Sequence, residues 1–194
     1  MIIKKQNYLK HAIVLFLLLL LMQPERAWAA YENIEFCSLT NHDGLANSQV
    51  GAILKDTRGY IWFGTQSGLC RFDGFRMKTF YYSNTDDKSL PNNSVDELQQ
   101  DYDGNIWVHT SVGYSIYKYD EEQFDRKPEE LLKNIHVQGP PYKLLIDKDK
   151  NMWITVYGQG LYYHNAKTRN TYLFKFTKKA QPGCLKEGNI SKIT

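Results

Sequence analysis

Between Val50 and Asn165 short apolar runs rich in Val, Ile, Trp, Phe and Tyr alternate with polar breaks carrying Gly, Asp or Asn. Aromatic and β-branched runs of this length, closed by turn residues, predict β-strands joined by tight hairpins. Val50–Asp56, Val95–Gln100 and Lys143–Ile146 read as first strands, and Tyr60–Thr65, Asn105–Thr110 and Met152–Tyr157 as second strands. Leu69–Asp73, Tyr114–Tyr119 and Leu161–Asn165 follow as third strands, with outer strands at Arg76–Tyr82 and Thr171–Thr177. The first turns are Thr57-Arg58-Gly59, Tyr102-Asp103-Gly104 and Lys148-Asp149-Lys150-Asn151, where Gly or Asn is expected to take the positive φ such turns require. One segment differs: Pro128–Lys133, with acidic residues early and Lys late, predicts a short helix.

These elements recur. Asp56, Asp101 and Asp147 align, as do Trp62, Trp107 and Trp153, each series spaced by 45 and then 46 residues, and Gly68, Gly113 and Gly160 follow at matching offsets. An Asp, a Trp six residues later and a Gly beyond it, recurring together, make an internal repeat. A period of 40–50 residues built from short strands marks a β-propeller, one four-stranded sheet per period. The fold class is therefore all-β: three four-stranded antiparallel blades at about 45–83, 90–135 and 138–178, and the first strand of a fourth at 188–194 in an incomplete ring. Residues 31–40, with a lone strand at Ile34–Leu39, are expected to serve ring closure. Propellers generally close four to eight blades, so the chain reads as the front of a longer protein.

The run Asp43–Gly74, D-G-L-A-N-S-Q-V-G-A-I-L-K-D-T-R-G-Y-I-W-F-G-T-Q-S-G-L-C-R-F-D-G, resembles the two-component regulator propeller repeat. The resemblance extends over 30–194 and weakens along it: His109 stands where the first unit has Gly64, and Thr155-Val156 replaces Gly64-Thr65 with one extra residue before Gly160. It implies the opening blades of a periplasmic sensor of a Bacteroidetes hybrid two-component system or sensor histidine kinase. Such a parent continues with further blades, a β-sandwich, a membrane span and a kinase, and acts as a homodimer. The implied role is to perceive oligosaccharides from polysaccharide breakdown and signal through a phosphorelay. The resemblance implies no cofactor and no catalysis by these residues. Two alternatives stay open: an exported propeller enzyme of the polysaccharide-lyase or quinoprotein kind, and a truncated relic.

Charge sharpens the picture once it is located. The chain has 24 Lys+Arg against 21 Asp+Glu, but residues 1–29 look like a secretory signal with Lys4, Lys5 and Lys10 ahead of an apolar run, Ala12–Met22. That run is too short to span a bilayer as a helix, and Ala27-Trp28-Ala29 offers a cleavage pattern. An uncleaved anchor is the competing reading. Without this leader basic and acidic residues balance, which removes the footprint of nucleic-acid binding and points to the periplasm. Cys37, Cys70 and Cys184 match no metal spacing; an oxidising compartment permits one disulfide, but packing residues are the simpler reading.

The candidate chemistry is sparse. The three tryptophans have the aromatic faces that suit sugars, yet a bulky residue fixed within a repeated strand reads as packing between blades. Asp101-x-Asp103-x-Asn105 and Asp147-x-Asp149-x-Asn151 imitate the opening of a calcium loop. Its sixth and twelfth positions, which need Gly and Glu, hold Ile106 or Met152 and Val112 or Gly158, so turn capping is the better reading and no metal is expected. His42, His136 and His164 are isolated, and no G-x-S-x-G elbow occurs. Among Tyr114, Tyr117, Tyr157, Tyr162 and Tyr163, clustered near the later hairpins, Tyr114 and Tyr157 together with His109 are the candidate ligand contacts.

Overall fold

A computed structural model describes Phe36, residues 38–177 and residues 185–186. Residues 1–37 form a separate unit, of which Phe36 alone is described. The leader, Cys37, Cys184 and the strand expected at Asn189–Ile193 lie outside the described residues. Within Ile34–Leu39, the described Phe36, Ser38 and Leu39 form no strand, since an extended segment becomes one only on pairing with an edge.

The unit beginning at Ser38 holds three antiparallel sheets, each an up-and-down meander. The first blade comprises β1 (Val50–Lys55), β2 (Ile61–Thr65), β3 (Gly68–Phe72) and β4 (Met77–Phe80) in that order. The second comprises β5 (Val95–Gln100), β6 (Ile106–Thr110), β7 (Gly113–Lys118) and β8 (Gln123–Asp125). The third comprises β9 (Pro141–Ile146), β10 (Met152–Val156), β11 (Gly160–His164) and β12 (Thr171–Thr177), to which β13 (Leu185–Lys186) adds a short parallel fifth strand. The helix foreseen in the second unit is α1, Pro128–Asn134, opened by Pro and two glutamates and closed near Lys133.

The Asp and Trp of each repeat are parts of one device. Asp56 Oδ1 accepts the backbone N–H groups of Arg58 and Tyr60, both at 2.9 Å, while Oδ2 accepts the Trp62 indole N–H at 2.7 Å. Asp101 does the same with Asp103 and Asn105 (3.0 and 2.9 Å) and Trp107 (2.9 Å). Asp147 takes Asp149 and Asn151 (2.9 Å each) and Trp153 (3.2 Å). The carboxylate thus folds its own hairpin and fixes the ring that fills the blade joint. Because Tyr60 and Asn105 belong to this turn, β2 and β6 start one residue later than the sequence pattern predicts. Gly59 and Gly104 take the positive φ, but in the third turn Lys150 does so at φ +65°, and Asn151 instead donates its side-chain amide to Asp147 at 3.0 Å.

Period-2 alternation sends each strand's side chains to two joints. Trp62, Leu69 and Phe80 of the first blade meet Leu98, Ile106, Val108 and Tyr117 of the second. Trp107, Tyr114 and Ile116, from the opposite face of that second blade, meet Leu144, Met152, Ile154 and Tyr162 of the third, with Leu132 and Val137 around α1. The middle blade is accordingly buried on both faces. Register-equivalent residues show the contrast at the ends: Leu98 and Leu144 are 9% and 1% exposed, whereas Ile53 is 67% exposed. On the opposite end face, half-buried Trp153 forms an aromatic ladder with Tyr163 (4.4 Å) and Tyr172 across the third blade. Cys70 is buried as a packing thiol whose sulfur accepts the Ala46 N–H at 3.2 Å.

Candidate functional site

In a meander the turns alternate between the two ends of a blade. The Asp–Trp turns occupy one end. The β2–β3, β6–β7 and β10–β11 turns occupy the other, with the connections that lead from one blade into the next. At this second end the second blade departs from the first. Gly51, Ala52, Gly64 and Leu69 have as their register equivalents Asp96, Glu97, His109 and Tyr114. In the first blade Gly64 is needed, since a Cβ there would lie 2.7 Å from Val95 Cγ1 of the next blade. In the second blade Pro141 stands at the register position of Val95, and an imidazole takes the place of the glycine.

The four side chains and Lys143 of the third blade form one cluster. His109 Nδ1 and Asp96 Oδ1 are 2.6 Å apart, and the imidazole lies against the Tyr114 ring at 4.4 Å between centroids. The Tyr114 hydroxyl donates to Glu97 Oε2 at 3.1 Å and accepts the buried Leu144 N–H of the third blade at 3.0 Å. Glu97 also pairs with Lys143. Burial pushes the Tyr114 hydroxyl far above its ordinary pKa; the Leu144 N–H opposes this, and the Glu97 charge adds to it. Tyr114 is therefore a fixed neutral donor. His109 and Asp96 are the partly exposed members, able to offer an imidazole edge and a carboxylate to hydroxyl-bearing ligands.

Of the three candidate contacts read from the sequence, His109 and Tyr114 are brought together. Tyr157 stands apart on the β10–β11 turn, 90% exposed, and among the described residues no hydrogen bond or ring contact joins it to them. Motif reading passed over Asp96, Glu97 and Lys143, although the change from Gly51-Ala52 to Asp96-Glu97 was visible in the aligned repeats. Tyr117 and Tyr162 are core residues; burial raises the Tyr117 pKa to about 12. His164 is buried, its Nδ1 facing the Thr171 hydroxyl at 2.8 Å, and burial lowers its pKa. The calcium-like runs are turn caps: both oxygens of Asp101 and Asp147 already receive N–H donors.

A concavity of about 600 Å³ lies at the same end of the third blade. It is bounded by His136 and Gln138 after α1, Gly158 and Gln159 on the β10–β11 turn, and Tyr162 and β12. No helix among the described residues is long and apolar enough to cross a membrane.

Comparison with known proteins bears on the repeat itself. The two-component regulator propeller model matches residues 44–67 and 89–111. Over 61 residues the chain is 41% identical to histidine kinase P4 of Formosa agariphila, covering 31% of this chain and 4% of that protein. Its fold resembles the extracellular domain of a hybrid two component system of B. thetaiotaomicron, with a TM-score of 0.51 and 24% identity over 72% of this chain and 20% of that one. A second such extracellular domain from the same organism gives a TM-score of 0.41 at 18% identity, over 72% of this chain and 27% of its own. The chain thus spans a small part of the length of each of these proteins.

Proposed function

Residues 44–67 and 89–111 are two-component regulator propeller repeats, and from that premise we propose that the chain is a ligand-sensing segment of a periplasmic two-component sensor. In this reading residues 1–29 export the chain, and the end faces carrying Ile53 and Trp153 receive the remaining blades of the parent. The ligand is an oligosaccharide from polysaccharide breakdown, and the phosphorelay begins in a kinase outside these residues. These residues bind and signal without catalysing a reaction.

One observation carries the ligand-binding part: where the first blade has Gly51, Ala52, Gly64 and Leu69, the second has Asp96, Glu97, His109 and Tyr114, gathered at a single place. Four polar or aromatic side chains joined in one contact and hydrogen-bond cluster, where the first blade packs glycine and alanine, support a place kept for something other than packing. The partly exposed carboxylate and imidazole suit the hydroxyls of a sugar.

Calorimetry of the chain against neutral and acidic plant and algal oligosaccharides, with product analysis of each mixture, tests this reading. Saturable binding without turnover, weakened at least ten-fold in Asp96→Ala or His109→Gly, is expected. Cleavage or oxidation of a saccharide would replace the sensor reading with that of an exported propeller enzyme.

A further inference from the structure

Among the described residues four other than glycine hold a left-handed backbone: Glu122 (φ +53°), His136 (+61°), Lys150 (+65°) and Arg169 (+60°). An L side chain is disfavoured there, and glycine avoids the strain. For three of the four, the side chain supplies the reason. Glu122 receives Arg71 and Lys78 of the first blade. Lys150 donates to the Gln100 carbonyl of the second blade at 2.9 Å. Arg169 pairs with Asp103 at 3.3 Å and lies over the Tyr102 ring at 3.8 Å, again in the second blade. Each strained turn residue staples its blade to the preceding one.

His136 is the exception. It sits just past α1, where its N–H bonds the Lys133 carbonyl and the Val137 N–H bonds the Leu132 carbonyl, both at 3.0 Å. Glycine is the common residue at this position of such a helix ending. The imidazole is exposed, and among the described residues it makes no hydrogen bond that would offset the strain. What it does is line the 600 Å³ cleft at the end of the third blade.

The other walls fit one kind of ligand. Gln159 accepts the Tyr162 hydroxyl and donates to the Gln138 carbonyl at 2.8 Å, which fixes the turn that forms one side. Leu173 supplies apolar surface and Lys175 a cation, and none of the described residues lining the cleft is acidic. We propose that this cleft binds an acidic saccharide, its carboxylate or sulfate held by His136 and Lys175 with the Gln138 amide as a further donor. The inference rests on the oligosaccharide-sensing reading above but places this ligand away from the Asp96–His109 cluster. A cation and an imidazole at an open cleft recognise negative charge through charge-assisted bonds that salt weakens.

The test is a titration of the ¹⁵N-labelled full chain, followed by amide resonances, with digalacturonate, with neutral galactobiose and with sodium sulfate, at low salt and at about 0.15 M. Digalacturonate should give saturable shifts at Gln138, Gln159 and Lys175, and galactobiose should bind at least ten-fold more weakly. Lys175→Gln should weaken digalacturonate ten-fold or more. His136→Gly should weaken it too while raising the urea midpoint of the chain, an opposition that a structural role for His136 does not produce. Equal binding of galactobiose, or no binding of digalacturonate, overturns the proposal. Sulfate alone binding as tightly as digalacturonate overturns its saccharide part. Digalacturonate shifts that map instead to Asp96 and His109 and ignore both variants leave the sensor reading standing and overturn this one.

Discussion

Asp101 gives the sharpest test of how the repeat holds together. The residue is buried and its carboxylate accepts four N–H groups: the Asp103 and Asn105 backbones, the Asn105 side chain at 2.9 Å and the Trp107 indole at 2.9 Å. In Asp101→Asn one oxygen still serves the turn, but the new amide faces two donors. Flipping it only moves the clash onto the backbone pair. Each bond to a charged acceptor is worth about 1.5–3 kcal/mol, and a buried donor left unpaired costs about 1–3 kcal/mol, so the loss is about 3–5 kcal/mol after allowing for non-additivity. Asp147→Asn removes the same bonds beside half-buried Trp153, where water can reach the released donors, so about 1 kcal/mol is expected. Urea unfolding followed by circular dichroism measures both. With a slope of about 1–3 kcal/mol per molar, the Asp101 variant should lose about 1–5 M in midpoint and the Asp147 variant about 0.3–1 M, a ratio of at least three at any one slope. Losses that agree to within about 0.5 kcal/mol would refute the reasoning, because the cost would then not depend on burial of the Trp107 joint.

Trp62→Ala empties a packed joint and should cost about 3–5 kcal/mol, while Trp153→Ala on the open face should cost less than half of that in the same urea assay. Lys150→Gly relieves a left-handed backbone but loses the bond to Gln100, so stability should stay within about 1 kcal/mol; Lys150→Ala, which keeps the strain and loses the bond, should fall below both. At Asp147 burial raises the carboxyl pKa, but the bonds from Asn151, Trp153 and the turn outweigh it and hold the group below the ordinary carboxylate range. Its stabilisation is therefore complete above the unfolded pKa of about 3.9 and is lost as pH falls through the folded value, so acid titrations of unfolding should show a shallower decline for Asp147→Asn. Tyr114→Phe strands the Leu144 N–H at a cost of about 1–3 kcal/mol. Amide exchange should then quicken at Leu144 and Ile146 while β2 and β3 keep their protection; uniform acceleration would contradict a local latch.

The blades were legible because their signals are local. An Asp, a Trp six residues on and a Gly beyond it lie in one hairpin, and the carboxylate that caps the turn also holds the indole, so one short stretch carries the whole device. The aromatic and β-branched run Ile106, Trp107 and Val108 foretold a strand, and burial of the strand on both faces follows from having a neighbour on each side. The third turn misled because Lys150 accepts strain for the sake of a bond to another blade, which no local preference encodes. The cluster was half legible. His109 stood out against Gly64, but Lys143 enters from 46 residues beyond Glu97, and only the joint brings the two together. His136 gave no signal, for its meaning depends on a helix ending and a cleft wall that exist only in the folded chain.

The two joints differ in how their polar bonds are placed around the apolar centre. The first is centred on rings packed edge to face: Trp62 against Tyr117 at 5.0 Å, Phe80 against Tyr117 at 5.3 Å and Phe80 against Phe124 at 5.6 Å. Dispersion and area hold such a contact, and these forces are indifferent to small changes in charge. The second adds a row of hydrogen bonds onto β9, whose outer backbone groups would otherwise go unpaired. Gln99 donates to the Leu144 carbonyl at 2.8 Å and accepts the Ile146 N–H at 2.5 Å, while Tyr114 takes the Leu144 N–H. Bonds of this kind are directional and depend on the charge of their neighbours. A ligand that draws on Asp96 or His109 alters the setting of Glu97 and Tyr114, and through Tyr114 the backbone of the third blade. The first joint carries polar links as well, the Thr57 N–H donating to Gln100 Oε1 at 3.0 Å and Arg71 to the Tyr117 hydroxyl at 2.9 Å, so the blade that holds the cluster is tied by hydrogen bonds to both of its neighbours.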